Sequence, residues 1–147
     1  MSWYIKTFTE LSKEELYNIL KERVNIFVVE QACPYPDIDD KDRTAYHLFK
    51  KEAGEIIAYS RIFKSGDYYA EASIGRVIVK AASRDRGLGR ELLKQAITFV
   101  HQELKESAIK IQAQDYLRDF YGSFGFQPVS EVYLEDDIPH VDMLLKR

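Results

Sequence analysis

Near its middle the chain reads Arg84-Asp85-Arg86-Gly87-Leu88-Gly89. This stretch follows an apolar, strand-like run at 74–79 and precedes a long amphipathic pattern, so it joins a strand to a helix. Its glycines let the backbone turn tightly and approach a ligand, and the first N–H groups of a helix have no intrahelical acceptor. Because free donors and the positive end of the helix dipole favour an anion, the stretch predicts a loop that binds a pyrophosphate.

The spacing of the glycines distinguishes this loop from other phosphate sites. A dinucleotide-binding fold uses Gly-x-Gly-x-x-Gly and a P-loop uses Gly-x-x-x-x-Gly-Lys-Ser/Thr, and neither is present here. Arg-x-x-Gly-x-Gly instead resembles the coenzyme A signature of the GCN5-related N-acetyltransferases (GNATs). A second stretch, Phe120-Tyr121-Gly122-Ser123-Phe124-Gly125-Phe126, follows a strand-like run at 109–114 and resembles the family's Phe-Tyr-x-x-x-Gly-Phe element.

A closer resemblance, to the ElaA-like branch of these transferases, extends over nearly the whole chain. It is carried by segment 23–42, with Val28-Val29-Glu30-Gln31, Cys33-Pro34-Tyr35 and Asp37-Ile38-Asp39-Asp40, by Ile74-Gly75-Arg76-Val77 and by Ile138-Pro139-His140. The resemblance implies an α/β (α+β) GNAT fold, in which a mixed, mostly antiparallel central sheet is splayed between two parallel strands and flanked by about four helices. It also implies acetyl-coenzyme A (acetyl-CoA) as the acyl donor, and direct attack by a primary amine in a ternary complex.

Length and composition limit the class of protein. A chain of 147 residues has the size of one ordinary domain, so we expect a single domain spanning 1–147. The chain is 46% apolar and 31% charged, and no apolar run approaches the ~20 residues of a membrane-spanning helix. The first residues do not form a secretory signal, which favours a cytoplasmic location.

Charge and cysteine content narrow the expected partners. A net charge of −3 gives no overall attraction to nucleic acid and leans toward a small or cationic acceptor. We therefore expect a small-molecule or peptide amine as partner, with no nucleic acid and no membrane, and leave a homodimer open. One cysteine and three scattered histidines form neither an internal disulfide nor a cysteine-rich zinc site, so no metal is expected.

Hydrophobic periodicity predicts the order of the elements. A strand at 3–8 precedes a helix over about 12–29, which begins with a capping box at Ser12 and Glu15. A helix from the glycine loop to about 105 makes a right-handed crossover, so the strands on either side of it should be parallel. The remaining predictions are a loop at 31–43, antiparallel strands at 46–51, 56–64 and 73–80, a strand at 109–114, a short helix carrying Leu117, Phe120, Tyr121 and Phe124 on one face, and strands at 129–134 and 141–145 around an Asp136-Asp137 turn.

Tyr121 is the candidate general acid. The resemblance places it at the family's tyrosine position, and a tyrosine titrates at about 10 while a thiol titrates at about 8.5, so its hydroxyl can protonate a departing thiolate. In the alternative interpretation the ring only packs against Phe120 and Phe124. Both interpretations are true at once if the Tyr121 ring is buried and its hydroxyl faces a cleft.

The resemblance also assigns the residues that bind the cofactor. Backbone N–H groups of the loop face the diphosphate, and the edge of strand 78–80 pairs with the pantetheine arm as an added strand would. Guanidinium groups match phosphate oxygens with paired donors, although Arg86 is alternatively a solvated surface residue. The cofactor-binding candidates are Ile78, Val79, Lys80, Arg84, Asp85, Arg86, Gly87, Leu88, Gly89, Arg90 and Tyr121.

The group that takes the proton of the amine is left open. The candidates are Glu30, His47, Glu71 and His140, of which Glu30 is taken as the base, although many family members bind the amine through water. His47, Gln112, Gln114 and His140 are expected to line the acceptor cleft. For His47, among large apolar neighbours on a strand, a buried structural histidine is the alternative; for the glutamines the alternative is exposure to solvent.

Two features have no assigned role. The acidic stretch 37–42 does not match a calcium-binding loop, because Lys41 and Asp42 stand where an acceptor and a glycine are required. It either attracts a cationic amine or is merely solvated. Cys33 has no visible partner base, so a small buried residue is its simplest interpretation.

Two other functions compete with catalysis. The first is a non-catalytic acyl-CoA-binding sensor or assembly module of the same fold, although Tyr121 and both glycines of the loop are present. The second is binding of a nucleic-acid backbone through Arg84, Arg86 and Arg90, which suits the loop but not the acidic net charge.

Overall fold

The computed structural model describes residues 3–147. Its strands are β1 (Trp3–Thr7), β2 (Tyr46–Glu52), β3 (Glu55–Phe63), β4 (Ala72–Val79), β5 (Ala108–Gln114), β6 (Gln127–Pro128), β7 (Tyr133–Glu135) and β8 (Ile138–Lys146). Its helices are α1 (Lys13–Arg23), which continues as a π-helical segment (Val24–Glu30), α2 (Leu88–Thr98), which continues in the same way (Phe99–Glu103), and α3 (Arg118–Gly122). The described residues thus form three longer helices, where about four were expected.

One mixed sheet contains all the strands of the described residues. The order is β1-β2-β3-β4-β5-β8-β6, with β7 pairing with β8 beside β6. Every pair is antiparallel except β4 and β5, which are parallel and joined through α2. This confirms the predicted mixed sheet and its parallel crossover.

Helices cover both faces of this sheet. The apolar stripe of α2 packs on one face, where Leu92, Leu93 and Ala96 are fully buried. On the other face α1 buries Ile19 against Phe49 of β2 and other residues. Burial of each apolar stripe supplies the main stabilisation of helices of this length, because isolated short helices are marginal in water.

The start of α1 confirms the predicted capping box. The Ser12 hydroxyl accepts the Glu15 N–H at 3.0 Å, and a Glu15 carboxylate oxygen accepts the Ser12 N–H at 2.9 Å. Lys6 and Lys51 donate to the same carboxylate. Burial alone would raise the pKa of Glu15, but the hydrogen bonds from Lys51, Ser12 and Lys6 lower it to about 2.

The parallel strands β4 and β5 separate after two residue pairs. Ala72 lies opposite Ile109 and Ser73 opposite Lys110, and no further pair joins the two strands in the described chain. On its other side, where it pairs with β3, β4 carries a bulge. Gly75 lies opposite Arg61 and Ile78 lies opposite Tyr59, so β4 has one more residue than β3 between these two pairs. Arg76, inside the bulge, has a left-handed φ of 50°. The edge of β4 that faces β5 is therefore unpaired from residue 74 onward, as the expected splay requires.

The predicted strand at 129–134 is wrong in its bounds, because only Tyr133 and Leu134 of that range lie in a strand, β7. The chain pairs with β8 only at Gln127–Pro128 and again at Tyr133–Glu135. Between these segments the Ser130 hydroxyl accepts the Asp142 N–H at 2.9 Å, so a side chain replaces the carbonyl of a regular ladder. The turn at Asp136 and Asp137 is confirmed, with left-handed φ values of 50° and 62°. It starts β8 at Ile138, earlier than predicted.

No helix among residues 3–147 is both long enough and apolar enough to span a lipid bilayer.

Candidate functional site

A cleft of about 590 Å³ opens where β4 and β5 diverge. Its walls come from the end of α1, β4, the loop before α2, β5, α3 and the turn between β7 and β8. A cleft between two splayed strands exposes main-chain groups of the β4 edge, which suits an extended ligand that carries amide groups.

The glycine loop, of which Arg84 and Gly89 line the cleft, has free backbone donors. Asp85 and Gly87 have left-handed φ values of 67° and 75°, and Gly87 is the N-cap of α2 without a side-chain cap. The backbone N–H groups of residues 86–90 find no acceptor in the described part of the chain. Adjacent free N–H groups at the start of an eleven-residue helix form a site for a phosphate.

Gly89 keeps space open beside this loop. A Cβ atom built on Gly89 would meet only the Phe120 ring, at an ordinary contact distance of 3.7 Å. The packing of the chain therefore does not require glycine here, and the vacant volume faces the cleft. The loop and this volume together fit a pyrophosphate-bearing ligand.

The loop arginines are engaged by carboxylates. Arg84 lines the cleft and donates to both Glu30 oxygens at 3.0 and 2.7 Å, and its Nε donates to the Val79 carbonyl at 3.1 Å. Arg86 lies outside the cleft walls and pairs with Glu52 at 3.2 and 2.9 Å. Arg84 is thus close to the expected cofactor path, whereas the position of Arg86 favours the solvated interpretation.

Two other expected cofactor residues also have partners in the chain. Arg90 donates to the Ser123 hydroxyl at 3.1 Å, with its guanidinium 4.6 Å from the centre of the Phe124 ring. Lys80 donates its backbone N–H to the Ile57 carbonyl at 2.9 Å. The expectation that the N–H of Lys80 pairs with the pantetheine arm is therefore wrong, because β3 already uses it.

Tyr121 joins a buried ring to a free hydroxyl. Its ring lies edge-on to Phe120 and Phe126, and only 7% of the residue is exposed. The hydroxyl makes no hydrogen bond within residues 3–147, and Tyr121 lines the cleft. Burial raises the pKa of Tyr121, which keeps the hydroxyl protonated and widens its difference in pKa from a thiol. The ring and hydroxyl thus have the two separate environments that the sequence predicts.

Glu30 lines the cleft but is already used. Its carboxylate is bound by Arg84 at both oxygens, and this interaction lowers the pKa of Glu30. A carboxylate held in this way is a weak proton acceptor. Glu71, the other acidic candidate, is not part of the cleft wall.

His47 does not line the cleft, so its assignment as a cleft residue is wrong. It is fully buried, with Nε2 2.9 Å from the Asp42 carbonyl and Nδ1 2.7 Å from the Tyr59 hydroxyl. Since a carbonyl only accepts, Nε2 carries the proton and Nδ1 accepts from Tyr59. Burial lowers the pKa of His47. It is the structural histidine of the alternative interpretation.

Gln112, Gln114 and His140 do line the cleft. The side-chain amides of Gln114 and Gln31 face each other at 3.4 to 3.5 Å and so bridge the ends of β5 and of the segment after α1. The Nδ1 of His140 lies 2.7 Å from the Ile138 carbonyl, and its ring stacks on Tyr133.

Three of the four aspartates of the acidic stretch 37–42 are bound by buried arginines of the chain, and only Asp40 is exposed to solvent. Arg23, which is fully buried, binds Asp37 at 2.9 Å and Asp42 at 2.7 Å. Arg61, also buried, binds Asp39 at 2.8 Å and Asp42 at 3.1 Å.

Arg76 completes this ion-pair cluster, which we define as Arg23, Asp37, Asp39, Asp42, Arg61 and Arg76. Its bulged position in β4 brings its Nε to 2.9 Å from Asp37. The cluster ties the acidic stretch to α1 and to the sheet. One sequence signal could have revealed it: Arg23 stands on the apolar stripe of α1, four residues after Ile19, where a charge requires a buried partner.

Cys33 behaves as a small buried residue beside the cleft. Its thiol donates to the Asp136 carbonyl at 3.4 Å, and burial together with Asp136 and Asp137 raises its pKa. The protonated thiol is a poor nucleophile. A second cavity of about 300 Å³ adjoins the cleft here, between residues 31–34 and the β7–β8 turn.

Comparisons with known proteins agree with this arrangement. Residues 8–147 match the model of the acetyltransferase (GNAT) domain. ElaA of Escherichia coli is 41% identical over 145 residues, which cover 97% of this chain and 95% of ElaA, and its crystal structure superposes with a TM-score of 0.90 over 99% of both chains.

Two further solved structures share the fold. An acyl-CoA N-acyltransferase from Pseudomonas aeruginosa is 37% identical, with a TM-score of 0.93 over 99% of both chains. A GNAT family acetyltransferase from Elizabethkingia anophelis, solved with acetyl-CoA bound, has a TM-score of 0.70 over 99% of this chain and 97% of its own, at 14% identity. At that identity the last comparison shows the fold alone.

Proposed function

The chain belongs to the GNAT acetyltransferase family, and on this premise we propose that it transfers an acetyl group from acetyl-CoA to a primary amine by direct attack in a ternary complex. The observation that carries the proposal is the row of free N–H groups at 86–90, in a loop whose Gly89 lines the cleft between the splayed strands. The acetyl-CoA bound to the Elizabethkingia anophelis protein supports this choice of donor at the level of the fold.

The residues present fit this cofactor. The N–H groups of 86–90 would hold the diphosphate, the volume beside Gly89 would admit it, and the unpaired edge of β4 would bind the amide-bearing arm. When bound, acetyl-CoA supplies an acetyl group activated as a thioester. The cleft holds donor and acceptor together, and such positioning alone contributes a large part of the rate in acyl transfer.

Tyr121 holds the proton that the departing sulfur needs. Its hydroxyl is protonated at neutral pH because burial raises its pKa, and it has no competing partner in the described chain. A donor already in place requires no reorganisation when negative charge develops. We also keep the cytoplasm as the proposed location, because acetyl-CoA must be available where the protein acts.

The test measures free thiol released from acetyl-CoA in the presence of grouped amines and peptides, alongside calorimetric titration with acetyl-CoA. We expect acetyl-CoA to bind, and we expect free thiol to be released at a rate that depends on the amine. Tyr121→Phe should lower kcat by about 10²-fold or more at unchanged acetyl-CoA affinity, because only the transferred proton is lost. Binding without release for any acceptor would instead support a sensor, and absence of binding would overturn the proposal.

A further inference from the structure

We infer that His140 is the general base that takes the proton of the incoming ammonium group, through its Nε2 atom. This inference rests on the proposed function, since it names the group that prepares the acceptor for acyl transfer. It is carried by the hydrogen bonding of the imidazole, by its place in the cleft and by the state of the competing groups.

The hydrogen bond of Nδ1 fixes the tautomer of His140. Nδ1 lies 2.7 Å from the Ile138 carbonyl oxygen, which can only accept, so Nδ1 carries the proton of the neutral ring. Nε2 then holds a lone pair and has no hydrogen-bond partner among residues 3–147. A neutral imidazole with one bound N–H and one free acceptor is the form that a general base requires.

The ring is also held in orientation. His140 stacks on Tyr133 with ring centres 6.2 Å apart and planes at 23°, and the Tyr133 hydroxyl donates to Asp142 at 2.5 Å. Tyr133 lies directly opposite His140 on β7, and Gln114 lies opposite it on β5. Stacking on Tyr133 together with the hydrogen bond of Nδ1 reduces the orientations that must be frozen when the acceptor binds.

An ammonium group has an acidic approach to this imidazole. The second cavity shares Gln31, Cys33, Asp136 and Ile138 with the cleft, and Asp137 of the same turn lines the second cavity. Both aspartates are exposed and form no ion pair in the described chain. An unpaired acidic turn at an entrance favours a cation, which is the form of a primary alkyl amine at neutral pH.

The charged and titratable groups near His140 include engaged groups and, at the β7–β8 turn, the exposed carboxylates of Glu135 and Asp136, which form no ion pair in the described chain and favour the approach of a cation. On its own strand Asp142 is bound by Tyr133 and lies 3.9 Å from Lys110. From the loop after α1, the Cys33 thiol is bound to the Asp136 carbonyl. The other ionisable residues that line the same cleft are Glu30, Tyr35, Arg61, Tyr68, Tyr69, Arg76, Arg84, Tyr116 and Tyr121.

The proton balance of the step is simple. One N–H bond of the ammonium breaks and an Nε2–H bond forms on His140, leaving the amine nitrogen with a lone pair for the acyl carbon. The C–N bond then forms as the C–S bond breaks. Tyr121 gives its proton to the departing sulfur, the amide nitrogen releases its second proton to solvent, and Tyr121 takes up a proton from solvent. The imidazolium returns its proton to solvent, so one proton is released for each ammonium acetylated.

The first test reads the tautomer without any cofactor. Two-dimensional ¹H–¹⁵N NMR of histidine side chains in the wild-type protein should show His140 with its proton on Nδ1, whereas free histidine favours Nε2. Nitrogen shifts typical of an Nε2–H ring would overturn the inference, whatever the catalytic activity.

The second test compares His140→Gln with His101→Gln, a histidine outside the cleft. We expect His140→Gln to lower kcat/KM for the amine by at least about 10²-fold. It should also remove the acid limb of the pH–rate profile and leave the calorimetric affinity for acetyl-CoA unchanged, which shows that the variant folds. His101→Gln should match the wild type in all three. If His140→Gln retains the turnover of the wild type, including the acid limb of the pH–rate profile, this inference alone is overturned. If the wild-type protein acetylates no amine, the proposed function is overturned as well.

Discussion

The two loops 37–42 and 84–89 are both rich in charged residues, but they differ in the use of their polar groups. In the acidic loop Asp37 and Asp42 are buried and bound by Arg23, Arg61 and Arg76. In the glycine loop the backbone N–H groups are free, and the arginines form exposed pairs. A loop whose polar groups are satisfied by its own chain stabilises the fold, whereas a loop that leaves adjacent donors free is suited to bind a ligand.

The largest expected effect comes from breaking the ion-pair cluster. Asp42→Asn should lower the free energy of unfolding by about 3–5 kcal/mol, because the buried carboxylate of Asp42 pairs with both Arg23 and Arg61, and each arginine then keeps only one carboxylate partner in the cluster. Chemical denaturation measures this loss. Asp40→Asn is the matched control, since Asp40 is exposed and asparagine also tolerates its left-handed φ of 65°. Equal effects of the two substitutions would remove the distinction between a satisfied and a solvated loop.

A smaller effect is expected in the glycine loop, where a substitution should weaken the binding of acetyl-CoA without lowering the stability of the fold. Gly89→Ala meets no clash within the chain and should leave unfolding unchanged or raise stability by up to about 1 kcal/mol. Its methyl group would enter the volume that faces the cleft, so acetyl-CoA affinity in calorimetry should fall about tenfold, or roughly 1.4 kcal/mol. Gly122→Ala, in α3 and away from the cleft wall, serves as control. Unchanged affinity in Gly89→Ala would show that the volume is not part of the site.

Acid pH should weaken the Asp39–Arg61 pair of the acidic loop. Burial alone would raise the pKa of Asp39, but Arg61 lowers it below its usual range. As the pH falls, the unfolded chain therefore takes up a proton at Asp39 before the folded chain does. The stabilisation from the Asp39–Arg61 pair is complete above the ordinary aspartate pKa of about 3.9 and is lost as the pH falls below that value. Asp39→Asn should flatten the decline in unfolding free energy between pH 5 and pH 3. A slope identical to that of the wild type would contradict a stabilising Asp39–Arg61 pair.

The smallest effect is expected at Arg86. It forms an exposed pair with Glu52 and lies outside the cleft wall. Exposed pairs of this kind contribute little, so Arg86→Gln should change acetyl-CoA affinity by less than about threefold and leave unfolding unaltered. A loss of affinity of tenfold or more would return Arg86 to the phosphate-binding role that the sequence suggests.

Local patterns were enough to predict most of the fold. Apolar spacing located α1 and α2, the capping box at Ser12 located the start of α1, and the glycines located the loop between β4 and α2. These features depend on neighbours in the chain, so a single sequence contains their causes.

Features that depend on distant partners were not predictable in the same way. The partners of Arg23 lie 14 and 19 residues further along the chain, in a stretch without periodicity. The burial of His47 depends on a carbonyl of that same stretch, and the break in the strand at 129–134 depends on a hydrogen bond from Asp142 to Ser130. The proton position on His140 follows from the β7–β8 turn, which sets the Ile138 carbonyl beside Nδ1.

The most direct test of the account follows backbone amides by ¹H–¹⁵N NMR as coenzyme A is added. We expect the largest chemical-shift changes at the N–H groups of residues 86–90, while those of 37–42 change little. Unperturbed amides at 86–90 in the presence of saturating coenzyme A would contradict the claim that these free donors bind the diphosphate.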